Sequence, residues 1–232
     1  SASNGPVTSI IDRWSFAIEG NAVDHGDLAI QVGQGTGHSS ATHGYHTGGM
    51  SGAPVINHIQ KFAFASTGST NNATDSGDLT VARSCYSGAS SSTHGYSAGG
   101  TSGLTTIDKF AFATDSDATD VGDCDVNSVV SAGTSSLTHG YITGGGAPNV
   151  DSIRKYSFAT GTQNSVDGAD LSAIRHAHTG CSSETFGYSA AGYNVGALNV
   201  IEKYSVSTDS DATDVGDLVG TKWYAPPVGS QV

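Results

Sequence analysis

Three histidines recur in one short motif and are the first residues of this sequence that could do chemistry. The motif reads THGY and is followed by two glycines, and its second position holds His43, His94 and His139. Three imidazoles would suffice to hold a zinc ion if they converged on one point. The fourth copy carries Phe186 instead, and histidines in neighbouring repeats should lie roughly 10 Å or more apart. The pattern therefore favours a structural role, in which each imidazole bonds the backbone of its own turn.

The loop DSDATDVGD is the second candidate, because its carboxylates alternate along the chain ahead of a glycine. It occurs intact at 115–123 and at 209–217. Such spacing resembles a calcium-binding loop, although the bidentate Glu and flanking helices of an EF-hand are missing. The candidate calcium ligands are Asp115, Asp117, Asp120, Asp209, Asp211 and Asp214. The alternative is a hairpin whose Asp side chains accept backbone N–H groups, so we predict no cofactor, with calcium as the competing hypothesis.

A third candidate is the pair His176 and His178, which lie two apart on a predicted strand and therefore face one side. Such a pair can supply two metal ligands, but the sequence locates no others, and we interpret it as a surface pair. The sequence contains no G-x-S-x-G, HExxH or phosphate-binding-loop motif. We predict that the protein is not an enzyme.

The segments that follow each Gly-Gly pair are the most variable part of the sequence. They are MSGAPVINH (50–58), TSGLTTID (101–108), GAPNVDS (146–152) and YNVGALN (193–199). Because they connect equivalent strands, they should emerge on one face, and variable loops on a rigid scaffold commonly form binding surfaces. The candidate ligand-binding residues are Tyr193, Asn194 and Asn149, since an aromatic face beside amides suits a sugar. The alternative is that these loops vary because nothing constrains them.

These motifs belong to a repeat of about 47 residues, of which the chain holds nearly five. A second motif gives the spacing, with copies IIDRWSFA (10–17), HIQKFAFA (58–65), TIDKFAFA (106–113), SIRKYSFA (152–159) and VIEKYSVS (200–207). Strands are predicted at 77–83, 84–91, 95–100 and 107–113. Four short strands per unit are typical of a β-propeller, with the strand of small residues innermost.

Three features resemble the kelch repeat. They are a Gly-Gly pair ending one strand, an aromatic residue in the next, and an arginine before the innermost strand, as in VAR (81–83) and AIR (173–175). The resemblance implies a galactose-oxidase-type propeller fold. The segment IDKFAFATDSDATDVGDC (107–124), together with THGY and Gly-Gly, also resembles repeat arrays of virion structural proteins from marine phages, especially cyanophages. This resemblance covers essentially the whole chain.

The phage resemblance implies a non-enzymatic virion protein, such as a tail fibre or appendage, that is structural or binds a receptor outside the cell. The implied partners are a host cell-surface glycan or receptor and other virion proteins, and a fibre tip would be displayed as a homo-oligomer. One alternative is a free-standing multivalent lectin with equivalent sites in several blades. A cryptic oxidase is a third hypothesis, although the copper ligands of galactose oxidase cannot be matched to residues of this sequence.

We predict an all-β fold and one domain over residues 1–232, a five-bladed β-propeller of four-stranded units. Residues 5–17 align with 52–65, and residues 216–232 align with 77–93. The N- and C-terminal strands should therefore share one blade and close the ring, which removes exposed edges. Neither end holds a copy of the GYxxGG strand, so we expect a longer parent chain with an N-terminal attachment region.

Charge and composition narrow the partners further. A net charge of −12 repels phosphate backbones, so nucleic acid is not expected, and no apolar run is long enough for membrane insertion. Three cysteines at non-equivalent positions form neither a disulfide framework nor a metal motif, and we expect small buried hydrophobes. They are Cys85, Cys124 and Cys181.

Eight of the nine Lys and Arg residues fall in two columns of the repeat. These columns are Arg13, Lys61, Lys109, Lys155 and Lys203, and Arg83, Arg175 and Lys222. Placement by the repeat predicts that each cation pairs with an acid or a carbonyl between blades, since an unpaired buried charge is costly. The expected acidic column is Asp27, Asp78, Asp123, Asp170 and Asp217.

Overall fold

The computed structural model describes residues 7–52, 54–65, 71–146, 148–159 and 162–223, which form antiparallel β-strands joined by turns. The one helical element in these ranges is a single 3-10 turn, Thr101–Gly103. No helix in this part of the chain has the length and apolar character needed to cross a membrane. The all-β prediction is confirmed.

Eighteen strands of the described chain form five sheets. Sheet 1 contains β1 (Thr8–Arg13) and β2 (Val23–Val32), and sheet 2 contains β3 (Thr36–Ser39), β4 (His43–Thr47), β5 (His58–Ala63) and β6 (Thr74–Asp78). Sheet 3 contains β7 (Ser87–Ser90), β8 (His94–Ala98), β9 (Thr106–Ala111) and β10 (Thr119–Asp123). Sheet 4 contains β11 (Ala132–Ser135), β12 (His139–Thr143), β13 (Ser152–Ser157) and β14 (Val166–Asp170). Sheet 5 contains β15 (Thr179–Ser182), β16 (Phe186–Ala190), β17 (Leu198–Ser205) and β18 (Thr213–Lys222).

Each four-stranded sheet is a meander in chain order, as the repeat predicts. The described residues give sheet 1 two strands, β1 and β2, which correspond to the third and fourth strands of the other sheets. This arrangement of five sheets is compatible with a five-bladed propeller. The predicted closure by both chain ends falls largely on residues 1–6 and 224–232, outside the described residues.

The strand of small residues is the innermost strand, as predicted. β3, β7, β11 and β15 contact one another in that order. They approach so closely that a Cβ atom on Gly133 would lie 2.1 Å from the carbonyl oxygen of Gly88. Only glycine allows two backbones to meet at this distance. Each sheet extends outward from this row through its second, third and fourth strands.

A tyrosine of the second strand joins sheet 2 to sheet 3 and sheet 3 to sheet 4. Tyr45 stacks on Phe112 with ring centroids 4.8 Å apart, and Tyr96 stacks on Phe158 at 4.6 Å. The Tyr45 hydroxyl also donates to the carbonyl oxygen of Phe112 at 3.2 Å. Both tyrosines are almost completely buried, so each contact adds apolar burial to ring stacking. We call this contact the aromatic joint.

The strand predicted at 77–83 is placed wrongly, and the strand predicted at 84–91 begins three residues too early. β6 ends at Asp78 and β7 begins at Ser87, so residues 79–86 cross from one sheet to the next. The crossing turns sharply at Cys85, whose φ is +56°. The turn follows Arg83, whose completely buried side chain anchors the crossing. A hydrophobic pattern does not reveal an arginine used in this way.

The cysteine prediction holds for one residue and fails for another. Cys124 is buried, and burial raises the pKa of its thiol to about 12. Cys181 on β15 is exposed, whereas its counterpart Ala89 on β7 is buried. β7 lies between two inner strands, while β15 ends the described row, so nothing described there covers its far side.

Candidate ligand-binding site

The loops after Gly-Gly all leave the sheets at one end, because each makes the same contact. The residue after the second glycine pairs with the crossing that leads into its own sheet. The pairs are Gly33 with Met50, Val129 with Gly146, and His176 with Tyr193. In sheet 3 the Thr101 N–H donates to the Ser84 carbonyl at 3.0 Å. The prediction that the variable loops share one face is therefore consistent with the structure.

Tyr193 lies between two other aromatic rings at this end of sheet 5. Its ring centroid is 5.6 Å from that of His176 and 5.5 Å from that of Trp223. Trp223 directly follows β18 and is 52 % exposed. The three rings form a continuous aromatic surface that is open to solvent on the Trp223 side.

Two asparagines lie in the loops near this aromatic surface. Asn194 follows Tyr193 and is half-buried. Asn149 is an exposed residue of the sheet 4 loop. Its Oδ1 atom lies 3.3 Å from the point that a Cβ atom on Gly146 would occupy, and the Cβ atom of His176 lies 3.7 Å from the same point. The structure thus places His176 and Trp223 against Tyr193, which Asn194 follows in the chain, and it places Asn149 near His176. We call these five residues the aromatic–amide patch.

The patch carries no charge at neutral pH. Burial lowers the pKa of His176 below its usual value of 6.5, so the imidazole is neutral. Its Nδ1 atom is buried and has no hydrogen-bond partner among the described residues. Aromatic faces, amides and a neutral imidazole suit a ligand rich in hydroxyl groups rather than an anion or a cation.

The patch occurs once among the four-stranded sheets, where the loops of sheets 4 and 5 meet. The position of Tyr193 is held by Met50, Thr101 and Gly146 in the other four-stranded sheets. His176 and Trp223 were missed by the sequence reasoning, because His176 was paired with His178 and the terminal segment was considered only for ring closure. The alignment of 216–232 with 77–93 could have found Trp223, since it places this residue in the repeat column of His176.

The interpretation of His176 and His178 as a surface pair is wrong for His178. This side chain is buried, and its Nε2 atom lies 2.9 Å from the hydroxyl of Thr143 in sheet 4. Burial lowers the pKa of His178 to about 3. The corresponding residue of sheet 3, Tyr86, places its hydroxyl 2.8 Å from the hydroxyl of Thr47. His178 therefore takes the place of a tyrosine that ties two sheets together.

The THGY histidines are structural, although their expected partner is wrong. The Nδ1 atom of each lies 2.8 Å from the hydroxyl of the preceding threonine, rather than against backbone. Each ring also lies 6.4 Å from the ring of the tyrosine two residues later. The contacts lie within one turn, so each His and Thr stabilises its own hairpin.

The carboxylates of the two acidic loops already have donors. Asp115 accepts the Lys61 ammonium at 2.8 Å and the Ser76 hydroxyl at 3.0 Å, both from sheet 2. Asp117 accepts the backbone N–H of Asp78 at 3.0 Å, and Asp120 accepts the N–H of Gly122 at 3.1 Å. These bonds fit the hairpin alternative.

The second loop repeats this pattern. Asp209 accepts the Lys155 ammonium, Asp211 the N–H of Asp170 and Asp214 the N–H of Gly216. The described residues include no group of three His, Cys, Asp or Glu placed to hold a metal ion. The donor contacts leave the carboxylates spread between sheets rather than gathered, and calcium stays the competing hypothesis.

Lys61 and Lys155 pair with acids of the next sheet, as predicted, whereas Arg83 and Arg175 pair with acids of their own sheet. Arg83 and Asp108 lie 2.8 Å apart with no exposed side-chain surface, and Arg175 and Glu202 lie 3.0 Å apart in the same columns of sheet 5. The partners of Lys61 and Lys155 are the loop acids described above. The acids of the expected column have other partners. Asp27 accepts the hydroxyl of Ser9, and Asp123 accepts the hydroxyl of Thr105. Asp78 lies 3.3 Å from the Nδ1 atom of His58, and the backbone N–H of Asp170 donates to Asp211.

Comparison with known proteins assigns no family. No protein-family model matches the chain, and no match was found among curated protein sequences. The case for a function therefore depends on the geometry of the site and on the pattern of the repeat.

Proposed function

We propose that the chain is a five-bladed kelch-like propeller whose ring is closed by its two ends. The two buried ion pairs support this closure, because each joins the crossing before a sheet to the third strand of that sheet. Lys222 occupies the column of Arg83 and Arg175, and Asp12 occupies the column of their acids. The Lys222 carbonyl accepts the N–H of Gly192 at 2.9 Å, as the Arg175 carbonyl accepts the N–H of Gly145.

Closure of the ring would bring Lys222 against Asp12. A double-mutant cycle with Lys222→Met and Asp12→Asn tests this contact, and we expect a coupling of about 0.5–3 kcal/mol in urea unfolding. Lys109→Met with Asp12→Asn is the control pair and should show additive effects. Additive effects in both cycles would count against closure between these residues.

The function that we propose is recognition of a host cell-surface glycan by a non-enzymatic protein of a phage virion, outside the cell. The observation that carries it is the aromatic–amide patch, since it occurs at one place of an otherwise repetitive scaffold. The apolar face of a sugar ring can stack on Tyr193 or Trp223, while the amides of Asn194 and Asn149 bond its hydroxyls. The virion setting is supported by the resemblance of the repeat to phage virion arrays.

A free-standing multivalent lectin is the second candidate. The repeat itself favours it, because equivalent loops could carry equivalent sites. The loop residues favour a single site instead, since the column of Tyr193 has no other aromatic residue. In a virion, display as a homo-oligomer anchored by other virion proteins would supply the avidity that one site lacks.

Binding to a panel of host cells and glycans, with and without a calcium chelator, tests this proposal. We expect saturable, sugar-competed binding with one site per chain, and a loss of at least about tenfold in affinity for Tyr193→Ala or Trp223→Ala. Thr101→Ala, at the position of Tyr193 in sheet 3, is the matched control and should bind normally.

The other outcomes separate the alternatives. Several equivalent sites per chain would favour the multivalent lectin. Loss of binding on chelation would favour calcium in the acidic loops, and turnover of an oxidised sugar would favour an oxidase. No binding under any condition would contradict the recognition proposal and leave a purely structural role.

A further inference from the structure

Arg154 is the one Lys or Arg residue of the sequence outside the two cation columns, and it holds the column position of an acid. In sheet 3 this position holds Asp108, the buried partner of Arg83, and in sheet 5 it holds the acid of the second buried pair. The position of the paired arginine is held in sheet 4 by Ser128. Sheet 4 has therefore exchanged both members of the buried ion pair.

The guanidinium of Arg154 nevertheless lies where the other two sheets place theirs. In sheet 3, Arg83 donates to the carbonyl oxygen of Gly99, the first glycine of its Gly-Gly pair, at 3.0 Å. Arg154 donates to the carbonyl oxygen of Gly144, the equivalent glycine of sheet 4. In sheet 5 the arginine of the ion pair donates to the same position at 3.4 Å. Sheet 4 thus supplies the guanidinium from its third strand, and this strand no longer supplies the acid.

Arg154 and Ser128 are completely buried. The Nε and Nη1 atoms of Arg154 and the Oγ atom of Ser128 have no hydrogen-bond partner among the described residues. A Cβ atom on Gly145 would lie 3.8 Å from the Cα atom of Ser128, and one on Gly100, its equivalent in sheet 3, would lie 3.3 Å from the Cβ atom of Arg83. Ser128 therefore lies beside the Gly-Gly turn as Arg83 does, and it leaves one more buried donor in this region.

The positive charge of Arg154 is not paired. No carboxylate of the described residues forms an ion pair with it. The acids that act on it through space are Asp125 and Asp167, and both are exposed. The carboxylate of Asp125 accepts the hydroxyl of Ser165 at 3.0 Å instead. A buried guanidinium without a counter-ion is costly, so this arrangement needs a further source of negative charge.

Comparison of the four-stranded sheets shows that the charge balance of sheet 4 is exceptional. Sheets 3 and 5 bury both charges. Sheet 2 buries neither, because Val32 and Gln60 hold the two positions. Sheet 4 keeps the cation and lacks the acid. A water molecule could accept the available hydrogen bonds but would leave the charge unbalanced, so the comparison favours an anion. A monatomic anion fits best, because a larger ligand would have to bury its remaining atoms as well.

We propose that sheet 4 binds one chloride ion, or a similar monatomic anion, at Arg154. The ion accepts hydrogen bonds from the Nε and Nη1 atoms of Arg154 and from the hydroxyl of Ser128. It supplies the negative charge that Asp108 supplies in sheet 3. The site lies in the interior of the fold and does not depend on glycan recognition by the aromatic–amide patch.

The dependence of stability on chloride tests the site. The whole chain is refolded from urea in sodium chloride or in sodium gluconate at equal ionic strength, since gluconate is too large for a completely buried position. We expect Tm to rise saturably with chloride, by about 5–10 °C at a concentration one hundred times Kd. Bromide should replace chloride, and its anomalous scattering in a crystal should place one ion beside Arg154.

Two double variants copy the neighbouring sheets. Ser128→Arg with Arg154→Asp copies sheet 3, and Ser128→Val with Arg154→Gln copies sheet 2. Both should remove the chloride response, because the first supplies a carboxylate and the second removes the cation. Asp125→Asn is the matched control, since it removes a nearby exposed acid, and it should keep the response.

The contrary outcomes are distinct. Equal Tm values in the two salts would overturn the site, and a chloride response that both double variants retain would place the ion elsewhere and overturn it as well. A response that appears only in Asp125→Asn would assign the counter-ion to Asp125 and refute the anion. The bromide crystal uses the unaltered chain, so the site stays testable if a variant does not fold, and a crystal without bromide at Arg154 would contradict the proposal.

Discussion

Replacement of Asp108 by leucine tests whether the buried ion pairs hold the sheets in place. Arg83 donates to Asp108 at 2.8 Å, and neither side chain reaches solvent. Asp108 also accepts the backbone N–H of Thr80 at 3.0 Å and its hydroxyl at 2.6 Å. Asp108→Leu therefore leaves a buried guanidinium without its counter-ion and two donors without an acceptor.

The cost follows from burial rather than from the attraction of the pair. Removing one partner of a buried ion pair costs about 3–5 kcal/mol, and the two lost bonds from Thr80 place Asp108→Leu near the upper end. In a domain of this size, 1 kcal/mol lowers Tm by roughly 2–4 °C. We therefore expect a Tm lower by about 6–20 °C.

Urea unfolding followed by circular dichroism measures this difference. Lys61→Met is the matched control, because its partner Asp115 is largely exposed, and exposed pairs contribute about 0–1 kcal/mol. The double variant Arg83→Met with Asp108→Leu should recover most of the loss, since it removes both buried charges. A cost below about 1 kcal/mol for Asp108→Leu, equal to that of Lys61→Met, would refute the reasoning.

Three further predictions concern the inner strands, acid sensitivity and calcium. Gly133→Ala should cost about 1–3 kcal/mol in urea unfolding, because its Cβ atom would lie 2.1 Å from a carbonyl oxygen. Gly37→Ala is the control and should cost less than half as much, because the nearest described atom to its Cβ atom would be 3.9 Å away. The pKa of His178 falls from 6.5 in the unfolded chain to about 3, so the unfolded state binds more protons between these values. The contribution of His178 to stability should be complete above pH 6.5 and fall by up to about 1.4 kcal/mol per pH unit below it. His178→Tyr should therefore reduce the slope of stability against pH, and an unchanged slope would contradict the assignment. Chelation should leave Tm unchanged, because donors already occupy carboxylates such as Asp115; a fall in Tm on chelation that Asp115→Asn abolishes would establish calcium binding.

The sequence predicts the elements of this fold well because the repeat samples each element several times. The recurring hydrophobic columns and the strand of small residues predict the third strands and the innermost strand, and both are confirmed. The boundaries fail at residues 79–86, where a left-handed turn at Cys85 and a buried Arg83 interrupt a pattern that otherwise suits a strand. Hydrophobicity alone cannot distinguish a strand from a crossing that buries a charged side chain.

The partners of charged residues are less predictable than the strands. The repeat shows that Arg83 and Arg175 occupy one column, but the sequence offers acids of two columns as partners for each arginine. Strand register decides between them, since it places Asp108 and Glu202 at equivalent points of the third strand. The candidate site behaves similarly, because Tyr193 and Asn194 stand out as loop residues, whereas His176 and Trp223 join them only through contacts across the fold.

Departures from the repeat are informative here because a repeated position is constrained by two neighbouring sheets. A substitution that keeps the contact with the neighbouring sheet, such as His178 for tyrosine, needs no functional explanation. Tyr193 and Trp223 differ from the other residues of their columns, and their rings contact each other in a place open to solvent. The departure at Tyr193 and Trp223 therefore favours a ligand that the fold does not need. Tyr193→Ala should change ligand affinity without changing Tm.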